Sequence, residues 1–330
     1  MGEFELLARI RERLPQGGPR IRLGSGDDAA ITQPGGATAT SVDALIDGVH
    51  FCRKWSSLGQ IGAKALAVAL SDLAAMGAEP GEAYVVLGVP TDLDEDGCLE
   101  LLDGLTRVAT ETGTTLAGGD VTRAPALTLV VTVVGHASDA DDLVKRSGAN
   151  PGNLLVVTGE LGAAAAALLL LEQRDASEID HTGVGSMSDA LVARQLEPTA
   201  QLEAGRALAK AGATAMIDLS DGLGGDAGHI ASASRVGLRI DAAALPIAPG
   251  VAEVARAAGQ DPLRLATSGG EDYELLAAVP GDRLDAATAA VEKAGGTELT
   301  RIGEVVAGEG VEIRLPGGGL LEPTGFDQLD

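Results

Sequence analysis

Two apolar patterns alternate along this chain: stretches with helical spacing, and short β-branched runs of the length expected for buried strands. Residues 3–14 read as a short amphipathic helix, and the segment 21–31 carries Gly24-Ser25-Gly26-Asp27-Asp28. A strand over 38–42 ends in Asp43, and an Ala/Leu-rich helix over 57–76 is closed by Gly77 and Pro80. A buried strand follows at 83–89, then a helix over 93–112 stopped by Gly113. Residues 115–117 lead into a Gly118-Gly119-Asp120 turn, and 127–134 form another apolar strand.

Around 146–153 the composition shifts to Arg-Ser-Gly-Ala-Asn-Pro-Gly-Asn, which marks a domain boundary and divides the chain into 1–148 and 149–330. Beyond it the pattern predicts strands at 154–158, 215–218, 238–241, 274–279, 298–305 and 311–315. Helices are expected over 163–172, 200–211, 222–234 and 282–294, and residues 174–187 read as a loop. The two parts share an apolar strand running into Asp (Asp43, Asp218) and a Gly-Gly-acid step (Asp120, Glu271). The expectation is an α/β (α+β) chain of two related domains.

Composition narrows the picture. Of 330 residues, 45% are hydrophobic but only 2% aromatic, so the cores are aliphatic. The formal charge of -24 disfavours nucleic acid and anionic membranes as partners. Cys52 and Cys98 form no CxxC pair, which favours a reducing compartment. The acidic Met-Gly-Glu-Phe-Glu start is unlike a signal peptide, and the most apolar run, 161–171, is about half the length of a membrane span. A soluble, cytoplasmic protein is expected.

Several motifs fail. There is no Gly-Lys pair for a phosphate-binding P-loop. Gly24-x-Gly26-x-x-Ala29 runs into Gln33-Pro34 rather than a helix, so the dinucleotide-binding geometry is missing. Asp92-x-Asp94-x-Asp96-Gly97, with Asp103, matches half of a calcium loop, but a strand and Pro90 precede it. A helix N-terminus accounts for those acids better.

What remains is a set of aspartates beside glycines or inside apolar segments: Asp27-Asp28, Asp43, Asp72, Asp120, Asp218 and Asp221. Asp72 lies on an Ala/Leu/Val helix, where a buried carboxylate needs a cation or a group to cap. Converging carboxylates repel by roughly 4 kcal/mol per close pair at an effective dielectric near 20. Divalent ions reverse that sign, and an oxygen-only ligand set favours Mg²⁺. The residues alone therefore indicate a Mg²⁺–phosphate site.

These segments, in this order, resemble the thiamine-monophosphate kinases, of the superfamily that includes aminoimidazole ribonucleotide synthetase and selenophosphate synthetase. The resemblance rests on Gly26-Asp27-Asp28, Asp43 with Gly48-Val49-His50-Phe51, and the run from Lys64 to Gly77 containing Leu70-Ser71-Asp72. It continues through Gly118-Gly119-Asp120, Arg146-Ser147-Gly148, Asp218-Leu219-Ser220-Asp221-Gly222 and Ser268-Gly269-Gly270-Glu271-Asp272.

The resemblance implies a two-domain aminoimidazole ribonucleotide synthetase-like fold. Its N-terminal domain would bind ATP and Mg²⁺ and pair with a second copy through a β-barrel, giving a homodimer. The implied reaction is phosphorylation of thiamine monophosphate by ATP. By motif position, Asp28, Ser41, Val42, Asp43, Asp72, Asp120, Asp218 and Asp221 are implied to hold several Mg²⁺ ions. Gly119, Asp120, Arg146 and Ser220 would contact ATP, and His50, Glu271 and Phe326 the thiamine substrate. Asp43, Asp72, Arg146 and Asp218 would carry the catalytic burden.

Taken singly, His50 also reads as a structural histidine, Phe326 as a packed terminal aromatic and Arg146 as a salt-bridge residue. The chain departs from the family pattern at Ala69, at Val121, at 111–112 where no aromatic stands, and at its Gly325-Phe326-Asp327 ending. A sister ligase or synthetase, and a calcium- or nucleotide-binding regulator, are the alternatives.

Overall fold

Contacts in the computed structural model divide the chain into two units, Met1–Leu73 with Ala78–Asp141, and Ala74–Gly77 with Asp142–Asp330. The structure describes residues 6, 9, 10, 12–14, 18–23, 30–176, 186–295 and 297–326. The expected 3–14 helix therefore lies partly outside the described residues, although residues 9, 10, 12 and 13 are helical.

The first unit contains β1 (Ile21–Leu23), β2 (Ile31–Thr32), β3 (Ala37–Ile46), α1 (Leu58–Ala75), β4 (Glu79–Val89), α2 (Glu95–Thr112), β5 (Thr115–Arg123) and β6 (Thr128–Ala137). A four-stranded sheet runs in the order β3-β6-β4-β5. Helix α1 starts on a reciprocal cap: Ser57 N–H donates to Gln60 Oε1 at 3.0 Å and Gln60 N–H to Ser57 Oγ at 3.2 Å. It ends at Gly77, whose φ of 66° lets Ala78 N–H return to the Leu73 carbonyl at 3.0 Å. By length and composition α1 qualifies as a membrane span, but 78% of it is buried in the protein, as befits a core helix.

Two glycines set how closely α1 and α2 approach. A Cβ on Gly62 would stand 2.0 Å from the Leu101 carbonyl oxygen, and one on Gly104 would stand 1.9 Å from that of Gly59. Helix α2 is capped by Asp94, which accepts from Gly97 N–H at 2.9 Å.

The second unit contains β7 (Asn153–Thr158), α3 (Ala163–Ala176), α4 (Ser186–Leu196), α5 (Leu202–Ala211), β8 (Ala215–Asp218), α6 (Leu223–Ser234) and β9 (Gly237–Asp241). It continues with α7 (Val251–Ala257), α8 (Pro262–Ser268), β10 (Leu275–Pro280), α9 (Leu284–Gly295), β11 (Leu299–Val306), β12 (Gly310–Arg314) and β13 (Leu320–Leu321). Its seven-stranded sheet has the order β13-β12-β9-β11-β7-β10-β8. Leu155 and Val157 of β7 and Leu276 and Ala278 of β10 enter one apolar cluster with Leu223 and Ile230 of α6. The alternate residues Val156, Ala277 and Val279 are buried too, so these strands read as unbroken apolar runs. A second cluster joins Ala163, Ala166 and Ala167 of α3 to Leu191, Val251, Val254 and Leu265.

Three expectations change. Strand β3 pairs along its whole length with β6, so Asp43 stands inside a strand rather than at its end. Gly118-Gly119-Asp120 is also strand, not turn; Gly119 is required because its Cβ would stand 2.0 Å from the Val85 carbonyl oxygen. The Gly-Gly-acid likeness between the two parts is thus not structural, since Gly270-Glu271 lies in an irregular segment. Finally, α4, α7 and α8 occupy stretches given no helix. Much of the expected 174–187 loop lies outside the described residues.

Candidate functional site

Each unit carries its own group of acids. In the first, alternation along β3 puts Ser41 and Asp43 on the face toward α1, where Asp72 stands near the helix C-terminus. Ser41 Oγ donates to the Asp72 carboxylate. Burial, then the charge of Asp72, pushes the Asp43 carboxyl up to about 6. Val42 points the other way and is 59% exposed, so only its backbone oxygen is a potential ligand here. Asp120 is exposed on β5, the far edge of the sheet. Three strand spacings of roughly 4.8 Å place β5 about 14 Å from β3, so the sheet does not bring Asp120 to the Asp43–Asp72 pair.

His50 sits in the turn after β3. Its Nδ1 accepts from the Ile46 N–H at 3.1 Å, so Nε2 carries the proton of the neutral ring. Arg53 braces this turn, bonding Asp47 and Asp92 at 2.8 Å each. Asp28 lies outside the described residues.

In the second unit the ends of β7 and β8 meet the start of β10, and acids gather at that edge of the sheet. Asp218, the last residue of β8, is buried and pairs in register with Leu275. Asp226, on α6, accepts from the Asp221 and Gly222 N–H groups at 3.1 Å each. Burial, then the charges of Asp218 and Asp221, raises the Asp226 carboxyl to about 7. Ligand atoms of Asp221, Asp226 and His229 lie within 4.8 Å of one another.

The segment 268–274 crosses the same edge. Glu271 and Tyr273 have φ of 68° and 51°, rare for residues with side chains, and their N–H groups bond the Ser220 and Leu219 carbonyls at 2.8 and 2.9 Å. Asp272 caps α3, accepting from Gly162 and Ala164 N–H at 2.7 and 3.2 Å. Desolvation still lifts its carboxyl to about 6. Glu274 accepts from Thr158 Oγ1 at 2.7 Å and from Arg194 at 3.1 Å, and burial raises it to about 7. Phe326 donates its N–H to the Asp221 carbonyl at 2.9 Å while the residue is 66% exposed, so it is not a packed terminal aromatic. The exposed Arg146 side chain makes no ion pair among the described residues.

Sequence reasoning missed Asp226, Arg194 and Gln195. Asp226 follows Asp221 by five residues, a spacing that a helix N-terminus could have suggested. Arg194 and Gln195 gave no local signal, because their partners are 80 and 76 residues away.

Two domain models of AIR synthase related protein match the chain, the N-terminal domain over residues 26–137 and the C-terminal domain over 150–316. Fold and acid clusters therefore define an AIR synthase-related protein. The thiamine-monophosphate kinase of Escherichia coli (strain K12) is 40% identical over 285 residues, covering 84% of this chain and 83% of that protein. The crystal structure of thiamine-monophosphate kinase from Stenotrophomonas maltophilia K279a superposes with a TM-score of 0.83 at 38% identity, covering 95% and 96% of the two chains. AaThiL complexed with AMPPCP and TMP gives 0.76 at 31% identity, with coverage of 87% and 86%. The chain belongs to the thiamine-monophosphate kinase family.

Proposed function

We propose that this protein transfers the γ-phosphoryl group of ATP to thiamine monophosphate, giving thiamine diphosphate and ADP. The observation that carries the reading is the likeness, over most of both chains, to AaThiL complexed with AMPPCP and TMP. In an in-line transfer, a phosphate oxygen of the acceptor forms a bond to the γ-phosphorus as the bond to the β–γ bridging oxygen breaks, and ADP leaves. With a second pKa near 6, the acceptor phosphate is largely dianionic at neutral pH, so no strong general base is required.

The donor set fits Mg²⁺. Ser41, Asp43 and Asp72 offer oxygen atoms only, and the Asp43 carboxyl is raised first by burial and then by the charge of Asp72, which a bound cation would counter. These residues and the Val42 backbone would hold Mg²⁺, which supplies charge neutralisation for the phosphates, and Asp28, Asp120, Asp218 and Asp221 would serve further Mg²⁺ ions. Gly119, Asp120 and Ser220 would contact ATP. The exposed guanidinium of Arg146 suits a transferring phosphoryl group. Asp43, Asp72, Arg146 and Asp218 serve catalysis by positioning and neutralising charge. His50, Glu271 and Phe326 would receive the thiamine moiety.

The division at 148 and 149 then separates an ATP/Mg²⁺-binding and dimerising domain from an α/β partner. Exposed Val42 and Val86 on the sheet face away from α1 and α2 support pairing with a second copy. The free thiols Cys52 and Cys98 support a reducing, cytoplasmic setting. Incubation of purified protein with ATP, Mg²⁺ and thiamine monophosphate, with chromatography of the products, tests the reading. Thiamine diphosphate is expected; no product at any Mg²⁺ concentration overturns it.

A further inference from the structure

Helix α4 delivers two different donors to the acidic edge of the second unit. Leu191 anchors it in the apolar cluster of α3, α7 and α8. One turn later, on the same helical face, Gln195 is only 7% exposed and donates Nε2–H to Glu271 Oε2 at 2.5 Å. Its neighbour Arg194 pairs with Glu160 at 2.9 Å and Glu274 at 3.1 Å. The helix end thus sends a cation to Glu160 and Glu274 and a neutral amide to Glu271.

We propose that Gln195 is a positioning residue for Glu271, and that the pair sets how tightly the site takes a cationic acceptor. This deepens the reading of Glu271 as a thiamine contact and rests on it. The Glu271 backbone is already fixed, with φ in the left-handed region and its N–H on the Ser220 carbonyl. Gln195 fixes the other end of the residue, the carboxylate. A carboxylate held at both ends is pre-organised and loses little freedom when a ligand arrives. An amide orients a carboxylate without adding positive charge, whereas lysine or arginine at this position would form an ion pair with it. The thiazolium ring of thiamine monophosphate is a permanent cation, so an amide is the donor that fits. Anchoring α4 does not need this bond, since Leu191 and Arg194 already hold the helix.

Steady-state kinetics at saturating ATP separate the possibilities. The full chain is compared with Gln195→Met, Gln195→Lys, Glu271→Gln and the double variant Gln195→Met/Glu271→Gln. Gln195→Met keeps the length and removes the donor; its KM for thiamine monophosphate is expected to rise about tenfold or more, as for loss of a hydrogen bond to a charged group. Its kcat and its KM for ATP are expected to stay within about threefold, with the melting temperature preserved. Gln195→Lys is expected to raise the acceptor KM at least as far, and the double variant to be no worse than Glu271→Gln. An unchanged acceptor KM in Gln195→Met, or additive effects in the double variant, overturns the inference. So does a joint fall in kcat, ATP affinity and melting temperature, which marks a purely structural residue. A wild-type protein that does not phosphorylate thiamine monophosphate overturns the proposed function, and this inference with it. Normal wild-type turnover with an indistinguishable Gln195→Met overturns this inference alone.

Discussion

Burial, together with the charge of Asp72 on α1, holds the Asp43 carboxyl of β3 at about 6. The native fold keeps a carboxylate pair close at a cost that a divalent cation would offset. Asp72→Asn preserves the acceptor for Ser41 Oγ while removing the charge. The metal-free variant is expected to be at least as heat-stable as wild type near pH 8. Its kcat is expected to fall by about a hundredfold or more, in the range seen when a group neutralising transition-state charge is lost. Added Mg²⁺ should raise the melting temperature of wild type more than that of the variant. Full activity with an equal Mg²⁺ response would make the pair structural.

Glu274 gives a pH signature. Burial raises its carboxyl from 4.5 to about 7, against the lowering exerted by Thr158 and Arg194. An acid with a raised folded pKa binds its proton more tightly in the native state. Its stabilisation is therefore full below pH 4.5 and is lost as pH rises through about 7. At ~1.4 kcal/mol per pH unit, that span is worth at most about 3.5 kcal/mol. Glu274→Gln retains an acceptor for Thr158, and Arg194 keeps Glu160 at 2.9 Å. Thermal melts from about pH 5 to about pH 8 should decline less steeply for the variant than for wild type. The same slope in both would exclude Glu274 as a source of the decline.

Much of this architecture was legible because buried strands and helices leave long apolar runs. Helix α1 and strands β7 and β10 followed from such runs, and Ser57, Gly77 and Gly113 marked ends that the structure caps as their residue types suggest. Gly118-Gly119 misled because glycine signals both turns and close backbone approach, and here the second applies. Helices α7 and α8, of seven residues each, are too short to display helical periodicity. In the site, Asp43 and Asp72 stood out as carboxylates within apolar segments. Arg194 and Gln195 did not, because their roles arise only when segments distant in sequence meet at the start of β10.

Gly104 tests the helix packing of the first unit. An alanine Cβ there would lie 1.9 Å from the Gly59 carbonyl oxygen, so α1 and α2 would have to separate. Overpacking of this kind typically costs about 1–3 kcal/mol. Gly104→Ala should unfold at lower urea concentration than wild type. A midpoint equal to wild type would mean that the helices yield freely.

The acids from Asp92 to Asp103 distinguish a cap from a calcium loop. Asp94 accepts from Gly97 N–H, Asp92 pairs with Arg53 at 2.8 Å, and Asp103 pairs with Arg13 at 3.1 Å. Each of these carboxylates already has a structural partner, and Glu95 and Asp96 complement the dipole in the first turn of α2. Asp94→Ala is therefore expected to destabilise the protein by about 1 kcal/mol, the usual cost of a lost N-cap, without loss of kcat. Calorimetric titration with Ca²⁺ provides the second readout. If these acids form a calcium loop, Asp96→Ala abolishes a binding isotherm that wild type shows. If they form a cap, wild type and Asp96→Ala give the same isotherm, and only Asp94→Ala lowers the melting temperature.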